Sequence, residues 1–203
     1  MCKKIAITTG LLLVSTLFYG QDGIAKKSNF GFSFGVNYSS IEHNLSDVIR
    51  QSDRFGMRLG ILGEFKLVKG LYFSPKAELS FNRGSVEYEV PNVFQRDYVL
   101  VPAGLEGKAN FTYKFREGKK INPYAITGVS YIHSLEKELQ TFEYGSQSYY
   151  AIDIGIGVER QFDHFIFAPE FRYSRGLTDV NQNPQFNGDI LLHNFAFVLV
   201  FKG

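Results

Sequence analysis

The chain has 203 residues, a formal net charge of +2 and a single cysteine, Cys2. That length suits one ordinary domain, and the near-neutral balance gives no electrostatic reason to expect nucleic acid. One cysteine excludes an internal disulfide and a cysteine-based metal cluster.

The N-terminus reads MCKKIAITTGLLLVSTLFYGQDG, with Lys3 and Lys4 ahead of an apolar run from Ile5 to Tyr19. This layout is that of a signal peptide, expected over 1–20 with cleavage near Gly20, followed by a periplasmic segment over 21–29. The alternative, an uncleaved anchor, is disfavoured because a helical span needs roughly 20 apolar residues. Cys2 precedes the run and is not placed to become a lipidated first mature residue. No later run is long enough for a helical span, so the mature chain is either exported and soluble or crosses a membrane as strands.

From Phe30 onward the pattern is period two. Phe30, Phe32, Phe34, Val36 and Tyr38 alternate with Gly31, Ser33, Gly35 and Asn37, which predicts a half-buried strand. A polar loop follows over 39–54. The second strand, Phe55 to Leu67, turns at Val68-Lys69-Gly70 into the third, Leu71 to Asn82, where Pro75 removes a ladder donor and predicts a local bulge or bend. After a second polar loop over 83–97, the fourth strand runs from about Tyr98 to Tyr113, with Val99, Val101, Leu105 and Phe111 on its apolar face. The basic turn KFREGKK over 114–120 leads to a fifth strand, Ile121 to His133, in which Ile126 and Ile132 fall on the polar face. A third loop spans 134–147. Tyr150 to Arg160 is the sixth strand, Gln161 to His164 a turn, Phe165 to Leu177 the seventh strand, 176–189 a fourth loop and Leu191 to Phe201 the eighth strand.

Eight strands of about bilayer-crossing length, joined alternately by long and short connections, are the pattern of a membrane β-barrel. The expected fold is an eight-stranded antiparallel up-and-down transmembrane β-barrel over 30–203, with four long extracellular loops and three short periplasmic turns. A soluble lipocalin-like barrel would reverse its faces. Side-chain volume decides between them: the polar face carries Gly31, Gly35, Gly56, Gly60, Gly104, Gly128, Gly155 and Gly157. Small residues suit a narrow interior, whereas a solvated face gains nothing from glycine.

That interior face also carries Arg58, Lys66, Lys76, Lys108 and Arg172 against Glu64, Glu78, Glu106, Asp153, Glu159 and Glu170. Unpaired charges cost several kcal/mol each in low dielectric, so a salt-bridged plug is expected. Interfacial aromatic girdles are expected from Tyr38, Tyr131, Tyr149, Tyr150 and Tyr173 at the long-loop end, and from Phe30, Phe65, Phe111, Tyr113, Phe165 and Phe201 at the other.

Several stretches resemble a known family. Arg172-Tyr173-Ser174-Arg175-Gly176-Leu177-Thr178-Asp179, YVLVPAGL over 98–105, and Asn122-Pro123-Tyr124 through Gly128 are similar to segments of small PorT-like outer-membrane β-barrel proteins. Phe201 resembles the aromatic end that barrel-assembly machinery recognises, with Lys202 and Gly203 trailing it. The resemblance implies fold and location in the cell outer membrane and is weak for activity; one member type contributes to protein secretion.

Candidate chemistry is sparse. His133, Ser134 and Glu136 form the one trio near a rim that a lipid-modifying enzyme would use. Arg58 facing acids would suit a narrow ion path. No metal-ligand spacing stands out, and no cofactor is expected. The long connections are net acidic and the short ones net basic, which would suit cation-bridged contact with phosphate-bearing lipopolysaccharide or a basic partner. The expectation is a non-enzymatic scaffold in contact with outer-membrane lipid and lipopolysaccharide, the assembly machinery and a surface or secretion partner. A narrow pore or secretion component, and a rim-sited enzyme, are the alternatives.

Overall fold

A computed structural model describes residues 28–43, 50–88, 96–135, 148–180 and 189–203. The expected signal peptide over 1–20, the rest of the N-terminal segment to residue 27, and Glu136 lie outside the described residues. Among the described residues the elements are all strands: β1 (Ser28–His43), β2 (Arg50–Ser52), β3 (Arg54–Val68), β4 (Leu71–Tyr88), β5 (Arg96–Lys114), β6 (Ile121–Ser134), β7 (Tyr149–Gln161), β8 (Ile166–Gly176) and β9 (Ile190–Lys202).

The sheet runs β4-β3-β1-β9-β8-β7-β6-β5, and the β4–β5 pairing closes it into a ring of eight antiparallel strands. First and last strands meet from Gly31↔Lys202 to His43↔Ile190. Closure leaves the ring with no free edge, which a sheet in lipid requires. The short connections lie at one end with both ends of the barrel; Gly203 N–H donates to Phe30 O there at 2.9 Å. Gly70 makes the tightest of these turns possible, since its φ of 78° is one that a side chain disfavours.

Several strands are longer than their alternation suggested. β1 continues through His43, and β4 and β5 form a hairpin that reaches Tyr88↔Arg96. The small β2, inside the loop expected over 39–54, pairs with the outer part of β4 through Ser52↔Ser85. Beyond the lipid, the outer face of a strand is wetted, so the apolar–polar contrast that reveals a strand disappears while its backbone pairing continues. The bulge or bend expected at Pro75 brings no register shift there. Pro75 pairs in register with Ala109, and the register shift falls at Lys66–Val68 beside the β3–β4 turn.

The two faces are sorted by volume. Phe32, Met57, Ile61, Val129, Ile154, Ile156 and Phe171 are exposed around the outside, a continuous apolar band without a soluble protein's reason for it. Inside, glycines of β3 and β7 pair directly with long charged residues of β4 and β8: Gly60↔Glu78, Gly155↔Arg172 and Gly157↔Glu170. The absence of a side chain gives the neighbour room to lie across the lumen. At Gly157 the need is steric as well, because a Cβ would sit 2.4 Å from the Tyr124 ring. Val101, expected outside, is buried at 0% exposure within a cluster that includes Ile41, Ile132 and Ile190. The alternation slips between Val101 and Gly104, both of which are buried, across Pro102. Ile126 and Ile132 face inward and are buried, which accounts for their position on the polar parity.

Candidate functional site: the ion-paired lumen

The buried inward side chains form three layers. Nearest the short turns, Glu64 and Glu159 face Lys114 and Lys202. Lys114 Nζ lies 2.5 Å from Glu64 and 3.0 Å from Glu159, and Lys202 Nζ lies 2.7 Å from Glu64 and also contacts Glu159. Asn29 Nδ2 donates to Glu64 at 3.2 Å. Two cations and two anions close this layer, all buried. The ammonium groups also lie over rings, Lys114 4.1 Å from the centroid of Tyr72 and Lys202 5.7 Å from that of Tyr124.

The middle layer is a chain of alternating charge. Lys76 meets Glu170 at 3.0 Å; Arg172 meets Glu170 through Nε at 2.5 Å and Glu78 through its other end at 2.5 Å; Arg58 joins Glu78 at 3.4 Å and Glu106 at 3.1 Å. Lys108 then links Glu106 at 2.9 Å to Asp153 at 3.4 Å. Tyr124 donates to Glu170 at 2.8 Å, and Ser174 donates to Asp153. Arg58, Lys76, Lys108 and Arg172 thus face Glu78, Glu106, Asp153 and Glu170, four against four, every one buried. Charge balance and multiple hydrogen bonds per group are the conditions under which buried ions persist.

The third layer, toward the long connections, is apolar: Ile41, Val101, Ile132, Tyr149, Ala151, Val180, Ile190 and Leu192 pack together inside the barrel. A second apolar patch, Leu62, Ile126, Ala168, Ala196, Val198 and Val200 with Tyr124, lies beside the charges, with Val198 and Ala196 paired to Glu170 and Arg172 and Leu62 to Lys76. The alternation of β9 was visible in the sequence. Its inward valines follow from it, since Val198 and Val200 have the opposite parity to Phe197 and Phe201.

Most residues expected in the network meet there, with three differences. Lys66 is outside it: its ammonium lies 2.5 Å from Glu117 in the β5–β6 turn, one-third exposed. Lys66 pairs with Tyr72 at the end of the ladder, where its ammonium reaches the turn and not the buried charges. Lys114 and Lys202 take part instead. In the sequence Lys114 opens a basic turn and Lys202 trails the terminal aromatic; parity identifies both as inward, since Lys114 shares its face with the buried Asn110 and Thr112, and Lys202 with Val198 and Val200, while Phe201 points outward.

The aromatic rings form pairs at both ends. Tyr131 packs on Tyr150 at 5.2 Å, Tyr38 on Phe55 at 5.1 Å and Tyr173 on Phe195 at 4.7 Å. At the other end Phe30 meets Phe65 at 5.9 Å, Phe73 meets Phe111 at 5.6 Å, and Phe165 approaches Phe201 at 6.2 Å. Tyr149 does not belong to the girdle. It is 2% exposed in the inner apolar layer, because it has the opposite parity to Tyr150.

Glu117 clamps the β5–β6 turn over the barrel mouth. Its carboxylate accepts from Lys66 at 2.5 Å, Tyr72 Oη at 2.7 Å and Gly70 N–H at 2.8 Å. The hydrogen bond from Lys66, then that from Tyr72, hold its pKa at about 2, below the ordinary 4.5. A lowered carboxyl pKa stabilises the clamp fully above the ordinary value and loses that contribution as pH falls through the lowered one. Protection of the Gly70 amide from hydrogen exchange is therefore expected to decline between about pH 4 and pH 2, and to lack that pH-dependent step in Glu117→Gln.

The rim trio does not assemble. His133 and Ser134 are neighbours on β6, so their side chains point to opposite faces: His133 is exposed and its Nδ1 contacts Ser148 Oγ at 2.7 Å, while Ser134 is buried. Among the described residues no group of His, Cys, Asp and Glu is arranged to hold a metal.

No family model matches the chain, and no curated protein sequence matches it. Solved structures do. The outer membrane protein OprG from Pseudomonas aeruginosa is similar at a TM-score of 0.58 and 13% identity, with 88% of this chain and 97% of that chain covered. Neisserial surface protein A is similar at a TM-score of 0.51 and 11% identity, with 86% and 98% covered. At such identities the likeness is one of fold: a small closed antiparallel membrane barrel.

Proposed function

We propose that the protein is an integral outer-membrane barrel that serves as a closed scaffold presenting its long connections at the cell surface. The observation that carries this reading is the pairing of an exposed apolar band with a lumen of balanced, buried charge. A barrel inside out relative to a soluble protein needs acyl chains around it. A lumen whose ions are all paired across the bore, capped by an apolar layer, offers a permeating ion no vacant site. The likeness of fold to outer-membrane barrels supports the location, and the PorT-like stretches support placement near that family. Acid-rich long connections suit divalent-bridged contact with phosphate-bearing lipopolysaccharide, and the outward Phe201 suits recognition by assembly machinery. Expression in a Gram-negative host tests the location: the protein is expected in the outer-membrane fraction with a gel mobility that changes on heating. A soluble periplasmic protein would overturn the reading.

A further inference from the structure

We infer that the periplasmic mouth carries a binding site for the headgroup of an anionic phospholipid, formed by the β5–β6 turn and the adjoining β3–β4 turn. A cavity of about 700 Å³ opens there, lined by Lys69, Tyr113, Phe115, Arg116, Lys119 and Lys120 among others. Backbone contacts make the two turns one unit. Lys114 N–H donates to Gly70 O at 2.7 Å and Lys119 N–H to Arg116 O at 3.2 Å, while Arg116 N–H donates to Asn122 Oδ1 at 2.9 Å.

The charge of this pocket is uncompensated. Lys69, Arg116, Lys119 and Lys120 take part in no ion pair among the described residues. The acid on the same turn, Glu117, is already bound by Lys66, Tyr72 and the Gly70 amide, and Lys114 is turned inward to Glu64 and Glu159. The buried cations of the lumen are matched with anions, so four unmatched ones lining one pocket point to an external anion. Its place specifies which. Tyr113 and Phe115, stacked edge to face at 5.3 Å, and Ile121 are exposed at the lower edge of the apolar band. A ligand there has its acyl chains against these side chains and its phosphate among the cations, the arrangement by which basic groups beside a membrane recognise anionic lipid. The volume is within the range of a small-molecule site. A zwitterionic headgroup brings its own cation into the pocket and gains less.

The inference rests on the outer-membrane reading, and its test separates the two. Detergent-solubilised full-length protein is mixed with equal amounts of phosphatidylglycerol and phosphatidylcholine, and retained lipid is read by native mass spectrometry. Phosphatidylglycerol is expected to be retained in preference. The preference should fall about fivefold per charge removed, and so roughly a hundredfold in the combined Arg116→Gln, Lys119→Gln and Lys120→Gln variant, with heat-modifiable mobility kept as evidence of an intact barrel. Equal retention of the two lipids, or an unchanged preference in a folded variant, would overturn the site. Displacement of the lipid by an equal concentration of inorganic phosphate would also overturn it, by assigning the cations to free phosphate. A chain that fails to enter membranes would contradict the outer-membrane reading instead.

Discussion

Replacement of Arg172 by methionine is expected to destabilise the folded barrel by about 3–5 kcal/mol, the usual cost of removing one partner from a buried ion pair. Arg172 bridges Glu78 and Glu170 near the middle of the lumen. Without it, Arg58, Lys76 and Lys108 must balance four carboxylates that have no route to water. The loss should be partly recovered by adding Glu170→Gln, which restores three against three and leaves Tyr124 a neutral acceptor for its hydroxyl. Urea unfolding of the refolded protein in phosphatidylcholine vesicles, followed by heat-modifiable mobility, measures both. If Arg172→Met is neutral, the network is not a source of order. If the second substitution makes matters worse by its own full cost, charge balance is not the controlling quantity.

The second large effect is on the outer face. Ile156→Arg places a charge on a side chain that is 65% exposed, midway along β7 between Tyr150 and Arg160. In a soluble barrel that substitution is close to neutral, since surface changes fall within about 0.5 kcal/mol. In lipid it should cost about 2–4 kcal/mol. The same vesicle unfolding assay separates these outcomes. Phe171, which pairs with Ile156 across the β7–β8 ladder, should respond in the same way, whereas an arginine at Glu42 on the rim should be tolerated.

Strand count, direction, the closed ring and the identity of the lipid face were legible in the alternation, because one face of each strand had to be bulky and the other small or charged. Three things were not. The extensions of β1, β4 and β5 beyond the membrane have polar residues on both faces and so lack a period. The two-sided apolar stretch around Val101 hides which residues point inward, and Val101 belongs to the apolar inner layer that holds Tyr149. The partners of each charge were also hidden: parity assigns Glu170 and Arg172 to the lumen, but only the register of the ring brings Arg172 to Glu78 on a distant strand. Lys202 shows what parity alone recovers. It trails an aromatic that suggests a terminus, yet its place one step beyond Phe201 turns it inward, where it completes the balance of Glu64 and Glu159.

The central claim is that this lumen is closed by its own paired charges and apolar inner layer. Single-channel recording of the refolded protein in planar bilayers tests it most directly. The expected record is a flat baseline at moderate voltage in simple salt solutions, for the parent and for a variant charge-neutral by the Arg172→Met and Glu170→Gln pair. Stable, reproducible open-state current steps from the parent protein would contradict the account and make the buried charges the lining of a pore.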